Sequence, residues 1–291
     1  MHSKTLPITI KQALNSAMIE LKRSRIPEAF LDSQILLSFV FNQDRSWLIA
    51  HDEKELNKKQ ISLYKKLIQK RSKWWPVAYL TKEKAFYNKS FLVTPKVLIP
   101  RPESELIVET VLDKINNSSK TFSLIDIGTG SGCLIISILA NNKNQNINQA
   151  IAIDISSQAL VIAKTNAKNN NLTKKIKFIK NNLLQDIYLE DDSKTDELII
   201  LANLPYLKPS GMKEPSIKHE PSKALLGGAD GLSLYKKLEN QLNLIKEDYL
   251  KPITLICEIN PGQKNGLKKI WPKTKFLKDL AKKTRLGIVK L

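Results

Sequence analysis

Cysteine and histidine are scarce in this chain, at 2 and 3 of 291 residues. Cys133 and Cys257 fall in apolar surroundings on separate predicted elements, so neither disulfide logic nor metal-site spacing applies, and both are expected as small core residues. His2, His51 and His219 form no cluster, so no metal is expected. Long apolar runs are missing too. No stretch approaches the ~18 residues of a membrane helix, and Met1 to Pro7 lacks the apolar core of a secretion signal, so a cytoplasmic protein is expected. Acids are outnumbered, 28 against 47 Lys and Arg, for a formal charge of +19. Such a field attracts phosphates and acidic partners. The basic residues are mostly Lys, spread through every segment alongside Asn and Ile, which is compositional bias and not a basic stripe; direct nucleic-acid binding is not expected.

What is present fits a soluble globular protein of two domains, with 42% hydrophobic and 26% charged residues. Helical spacing of Ile10, Leu14, Ala17, Met18 and Leu21 predicts a helix from Thr9 to Arg23. A second has Pro27 in its first turn and ends at Asn42 to Asp44, a third covers Trp47 to Ala50, and a fourth runs from Lys54 to Arg71. Residues 1–75 are thus an all-helical docking domain without paired acids or a glycine-rich loop. Residues 76–118 form a linker: a hairpin over Ala85 to Val93 turning at Asn88 to Ser90, then a helix from Leu106 to Ile115. From 119 to 291 strands alternate with helices: strands at 122–127, 149–155, 175–181, 197–202 and 252–259, then a hairpin of 275–280 with 285–290 whose last strand runs antiparallel. Ser157 to Asn170 and Leu232 to Lys246 are predicted helices, and the polar tract Asn141 to Gln149 a solvated loop. This is the pattern of an α/β, doubly wound, mostly parallel sheet of seven strands.

Two stretches carry chemistry. Strand, glycine loop and helix succeed one another through Leu124-Ile-Asp-Ile-Gly-Thr-Gly-Ser-Gly132, and a second strand ends in Asp154 about 20 residues on. Gly128, Thr129, Gly130, Ser131 and Gly132 let backbone N–H groups approach a ligand, and Asp154 suits two ribose hydroxyls. Later, the strand Leu198 to Ala202 delivers Asn203-Leu-Pro-Tyr206 to the carboxyl edge of the sheet. The Asn203 carboxamide and the Leu204 carbonyl can accept from a planar amine or amide, Pro205 biases Leu204 to an extended backbone, and Tyr206 can cover a flat group.

The pair resembles class I S-adenosylmethionine-dependent methyltransferases with an Asn-Pro-Pro-Tyr motif, Leu204 standing at the first proline. Ile99-Pro-Arg-Pro-Glu-Ser-Glu-Leu106 and His219-Glu-Pro-Ser-Lys-Ala-Leu-Leu-Gly-Gly-Ala-Asp-Gly-Leu232 are similar to signatures of the release-factor glutamine methyltransferases, which also carry a small N-terminal helical domain. The resemblance implies S-adenosylmethionine on Gly128 to Gly132 and Asp154, with Asn182 and Leu183 flanking its adenine where the family often has an acid and an aromatic. It implies class I peptide chain release factors as partners, methylated on the glutamine amide of Gly-Gly-Gln by way of Asn203, Leu204, Pro205 and Tyr206, with Arg101 shaping the pocket or ion-paired locally. The segment Gly227 to Gly231 is implied to close near the cofactor. Alternatives are a ribosomal-protein glutamine methyltransferase, a methyltransferase for exocyclic amines of nucleic acids, which would gather aromatics and Arg around a flipped base, and an inactive cofactor-binding docking protein.

Overall fold

A computed structural model describes residues 8–187 and 194–291, so His2 and the opening Met1 to Pro7 lie outside the described residues. The chain divides into two compact units: one takes residues up to Glu83 together with Glu214–His219, the other takes Lys84–Lys213 and Glu220–Leu291.

The first unit is helical. Helices α1 (Ile10–Arg23), α2 (Ala29–Phe41), α3 (Arg45–Ala50), α4 (Lys58–Arg71) and α5 (Val77–Thr81) enclose Ile10, Leu21, Leu36, Leu37, Leu48 and Ile68. Thr9 and Gln12 form a capping box on α1, as do Asn57 and Gln60 on α4, each contributing about 1 kcal/mol. That cap starts α4 at Lys58 and not at Lys54. Pro27 precedes α2 instead of lying in its first turn, and α5 and a later helix, Lys264–Ile270, each under eight residues, are too short to give a periodic signal. His51 stacks on Trp47, and His219 stacks on Trp75 while its Nε2 bonds the Lys73 carbonyl at 2.9 Å.

The second unit begins at Lys84, one residue into the hairpin of β1 (Glu83–Phe86) and β2 (Lys89–Leu92). Tyr87 and Asn88 both have positive φ, so the turn is a two-residue reversal one position earlier than expected. A 3-10 turn at Pro102–Ser104 leads into α6 (Glu105–Asn116). Next come β3 (Phe122–Ile127), α7 (Cys133–Asn141), β4 (Ile147–Asp154), α8 (Ser157–Asn169), β5 (Lys177–Lys180), β6 (Glu197–Ala202), α9 (Ser233–Asp248), β7 (Ile253–Glu258), α10 (Lys264–Ile270), β8 (Lys275–Lys278) and β9 (Thr284–Lys290). Asn148 and Gln149 therefore belong to β4 and not to a loop.

These strands form one sheet of order β5-β4-β3-β6-β7-β9-β8, parallel except that β9 is antiparallel to both neighbours. Every residue of β3, β6 and β7 is buried, because helices cover both faces. Cys257 lies in this core; Cys133 is half-buried at the start of α7 and packs on its edge. The chain winds outward from β3 to β5 and then returns to the other side of β3 as β6. At that switch point the carboxyl ends of β3 and β6 lie side by side, Ile127 opposite Ala202. Open α/β sheets bind ligands at such a crevice.

Candidate active site

The residues after Ile127 and Ala202 build the two halves of one site. Gly128, Gly130 and Gly132 have φ of 71°, 55° and 79°, a left-handed conformation that side chains resist. The loop closes on itself. Gly128 and Thr129 N–H donate to the Ile153 carbonyl at 2.8 and 2.9 Å, Gly132 N–H to the Thr129 carbonyl at 2.7 Å, and Gly130 N–H to Asp154 Oδ2 at 2.9 Å. Three of these donors bond the end of β4 and one bonds within the loop.

Two carboxylates flank the loop. Asp154 accepts from Gly130 and, through Oδ1, from Ser156 N–H at 2.8 Å, and burial raises its pKa despite both bonds. Asp126 is 1% exposed; burial drives its pKa up to about 7, although the Thr129 hydroxyl donates to Oδ2 at 2.6 Å. Its Oδ1 is buried and has no hydrogen bond of good geometry from the described residues, although the Ile135 N–H at the start of α7 acts on the carboxyl and lowers its pKa.

Asn203 begins the other half. Its Nδ2 donates to Ser104 Oγ at 2.8 Å, and Ser104 Oγ donates to Glu258 Oε2 at 2.5 Å. The Tyr206 hydroxyl lies 3.4 Å from Glu258 Oε1. Glu258, at the end of β7, is 1% exposed, and burial raises its pKa, opposed by the Ser104 hydrogen bond and the charge of Arg285. Burial and the Glu258 charge also raise the pKa of Tyr206. The Leu204 side chain is buried in the core, where a Cβ on Gly128 would meet its Cδ2 at 3.4 Å, so the glycine loop packs directly on this segment.

Behind Pro205 and Tyr206 stands the segment from Leu225 to Gly231. Leu207 and Gly227 exchange strand-like bonds with Leu225 and Leu207, and a Cβ on Gly227 or Gly231 would run into the Pro205–Tyr206 backbone. Gln263 Nε2 ties the carbonyls of Tyr206, at 3.2 Å, and Gly231, at 2.9 Å. This segment therefore backs Pro205 and Tyr206.

Of the other expected residues, Arg101 pairs with Glu220, a partner distant in sequence and not a local one. Glu103 faces Arg285 at 3.6 Å, and Glu105 accepts from Tyr87 N–H at the hairpin turn. Strand β5 stops at Lys180, so Asn182 and Leu183 lie beyond it in the loop; Asn181 N–H reaches the Asp154 carbonyl, but the Leu183 side chain is buried in the core, with φ of 58°. Sequence reasoning missed Ser104, Glu258, Gln263 and Asn166, which donates to the Ser131 and Leu92 carbonyls and accepts from Leu92 N–H. Each is an ordinary polar residue whose partner is remote in the chain.

Residues 12–81 match the family described as PrmC N-terminal domain, and residues 106–205 the family described as ribosomal protein L11 methyltransferase (PrmA). A release factor glutamine methyltransferase of Clostridium acetobutylicum is 34% identical over 95% of this chain and 96% of its own. Another, of Leptospira interrogans, is 34% identical over 97% of this chain and 98% of its own. A bifunctional methyltransferase of Rickettsia bellii is 32% identical over 82% of this chain but only 47% of its own length; the chain spans about half the length of such relatives. Among solved structures, the hMettl16 catalytic domain in complex with a MAT2A 3′UTR hairpin has a TM-score of 0.52 at 17% identity, covering 81% of this chain and 84% of that one, a likeness of fold alone.

Proposed function

Because the chain belongs to the release factor glutamine methyltransferase family, we propose that it methylates the side-chain amide nitrogen of the glutamine in the Gly-Gly-Gln motif of class I peptide chain release factors. S-adenosylmethionine is the cofactor, and it supplies an electrophilic methyl group on a sulfonium. Gly128 to Gly132, Asp126 and Asp154 are the residues that would hold it, with Asn182 and Leu183 beside its adenine. The single observation that carries the acceptor half is the hydrogen bonding of Asn203, whose nitrogen is engaged by Ser104, leaving the carboxamide oxygen as the group available to accept.

An amide nitrogen is a weak nucleophile because its lone pair is shared with the carbonyl. Asn203 Oδ1 and the Leu204 carbonyl accept its two hydrogens, which fixes the plane of the amide and directs the nitrogen at the methyl group. Orientation of this kind supplies most of the rate in such a transfer. Tyr206 covers the amide, held from behind by Gln263 and the Gly227 to Gly231 segment. Against a nucleic-acid base as acceptor, the arginines whose charges act on Tyr206 are already engaged, Arg101 by Glu220 and Arg285 by Asp279.

The test is label transfer from radiolabelled S-adenosylmethionine to a release factor, its Gly-Gly-Gln→Gly-Gly-Ala variant, DNA and RNA. Label on the parent factor alone is expected; label on nucleic acid, or equally on the variant, overturns the proposal. Asn203→Ala should abolish transfer while cofactor affinity stays within about tenfold, ~1.4 kcal/mol.

A further inference from the structure

The Asn203 carboxamide has two chemically opposite ends. Its oxygen accepts and its nitrogen donates, and a half-turn about the last side-chain torsion exchanges them at little cost in strain. An amide acceptor substrate requires the oxygen in front. Asparagine itself does not choose, so the choice must come from what lies behind it.

Behind it is a two-step relay that ends in a carboxylate. Glu258 is 1% exposed; burial raises its pKa, the Ser104 hydrogen bond and the Arg285 charge oppose that rise, and in its ionised form it can only accept. Ser104 has one hydroxyl proton, and at 2.5 Å that proton is committed to Glu258 Oε2. The remaining lone pairs of Ser104 Oγ can only accept, so the atom of Asn203 lying 2.8 Å away must be a donor, Nδ2. Turning the carboxamide round would set Oδ1 against those lone pairs. The second carboxylate oxygen faces the Tyr206 hydroxyl, also a donor, so nothing on that side reverses the direction. Ser104 is 2% exposed, which keeps water from serving as an alternative partner.

We propose that Glu258 is a positioning residue which, through Ser104, fixes the polarity of Asn203 and so makes the site select an amide, which donates N–H, over a carboxylate, which cannot. This rests on the glutamine reading above. It assigns to Glu258 a share of the discrimination between glutamine and glutamate at the acceptor position, beside that of the Leu204 carbonyl, which Asn203 alone would not have.

Glu258→Gln tests this directly. A glutamine there can donate to Ser104 Oγ, Ser104 then donates to Asn203 Oδ1, and Nδ2 is turned towards the substrate. Ser104→Ala cuts the relay without reversing it and serves as a second variant should the first fold poorly. Binding of release factor carrying Gly-Gly-Gln or Gly-Gly-Glu is measured by calorimetry in the presence of S-adenosylhomocysteine, together with methyl transfer to the Gly-Gly-Gln form. The parent should prefer glutamine by about tenfold or more. In Glu258→Gln that preference should narrow towards what the Leu204 carbonyl alone maintains and transfer should fall at least about tenfold, with S-adenosylhomocysteine affinity within about threefold of the parent. Ser104→Ala should narrow the preference less. A merely structural role would weaken both ligands and the cofactor together, and that result overturns the proposal, as does the parent's preference and rate persisting in both Glu258→Gln and Ser104→Ala. A parent enzyme that transfers no methyl to the release factor instead overturns the glutamine function itself.

Discussion

Arg101 and Glu220, 119 positions apart in the chain, meet as an ion pair at 2.5 Å. The Glu220 side chain is 1% exposed and its other oxygen accepts from Ile99 N–H at 3.2 Å, so the segments around Arg101 and Glu220 are two sides of one structure. Arg101 is about one-third exposed. Arg101→Met would leave a buried carboxylate with one backbone donor, at a cost of roughly 2–4 kcal/mol after allowing for solvent around the arginine. Glu220→Gln, which can still accept from Ile99, should lose less. Urea denaturation of both variants checks the order; equal losses would show that the charge is irrelevant.

Tyr235, on α9 and fully buried, donates its hydroxyl to the Glu258 carbonyl at 2.6 Å and lies 3.1 Å from the Ala202 carbonyl. It thus fastens together the ends of β6 and β7, from which Asn203 and Glu258 project. Tyr235→Phe keeps the ring, edge-on to Trp271, and strands those carbonyls. Stability should fall by about 1–3 kcal/mol, and turnover should fall several-fold more than cofactor affinity, as read by thermal melts and single-turnover kinetics.

Asn166, also fully buried, joins the hairpin strand β2 to the glycine loop through Leu92 and Ser131. Leucine is close in size but supplies no hydrogen bond. Asn166→Leu should destabilise by about 2–4 kcal/mol and weaken S-adenosylmethionine binding, since the Ser131 carbonyl loses its anchor. Unchanged calorimetric affinity in a folded variant would count against this link.

Asp126 supplies a pH signature. Burial raises its carboxyl from an ordinary 3.8 to about 7. Between those values the folded protein holds a proton that the unfolded chain has released. Stability contributed by this residue therefore declines as pH rises through that window and is constant outside it. Asp126→Asn cannot ionise, so its melting temperature, measured without ligand, should rise relative to the parent between about pH 4 and about pH 8. A difference that stays level across this range would mean that Asp126 remains ionised throughout.

The sheet was legible because strands such as Phe122 to Ile127 and Leu198 to Ala202 are buried on both faces, and such a strand shows as a mainly apolar run, unbroken in Leu198 to Ala202 and interrupted only by Ser123 and Asp126 in the other. The glycine loop and Asn203 were legible for a related reason: each directly succeeds such a run. Turn positions were less so. Tyr87 gave no sign that it would take positive φ, because a left-handed tyrosine is set by the reversal around it and not by its own preference. The relay of Asn203, Ser104 and Glu258 was not legible at all. Its members lie 99 and 154 positions from Ser104, and no local pattern marks a serine or glutamate whose partner arrives only when the sheet closes.

The pairing of β3 with β6, Ile127 opposite Ala202, also acts as a ruler for the chemistry. Side chains alternate faces along a strand, so inserting or deleting one residue between Glu197 and Ala202 would shift Asn203 and its neighbours by about 3.3 Å and turn them to the opposite face. If methyl transfer runs as proposed, the distance from donor to acceptor is thus counted in whole residues of β6, and a length change in that strand would disturb the site more than a substitution would.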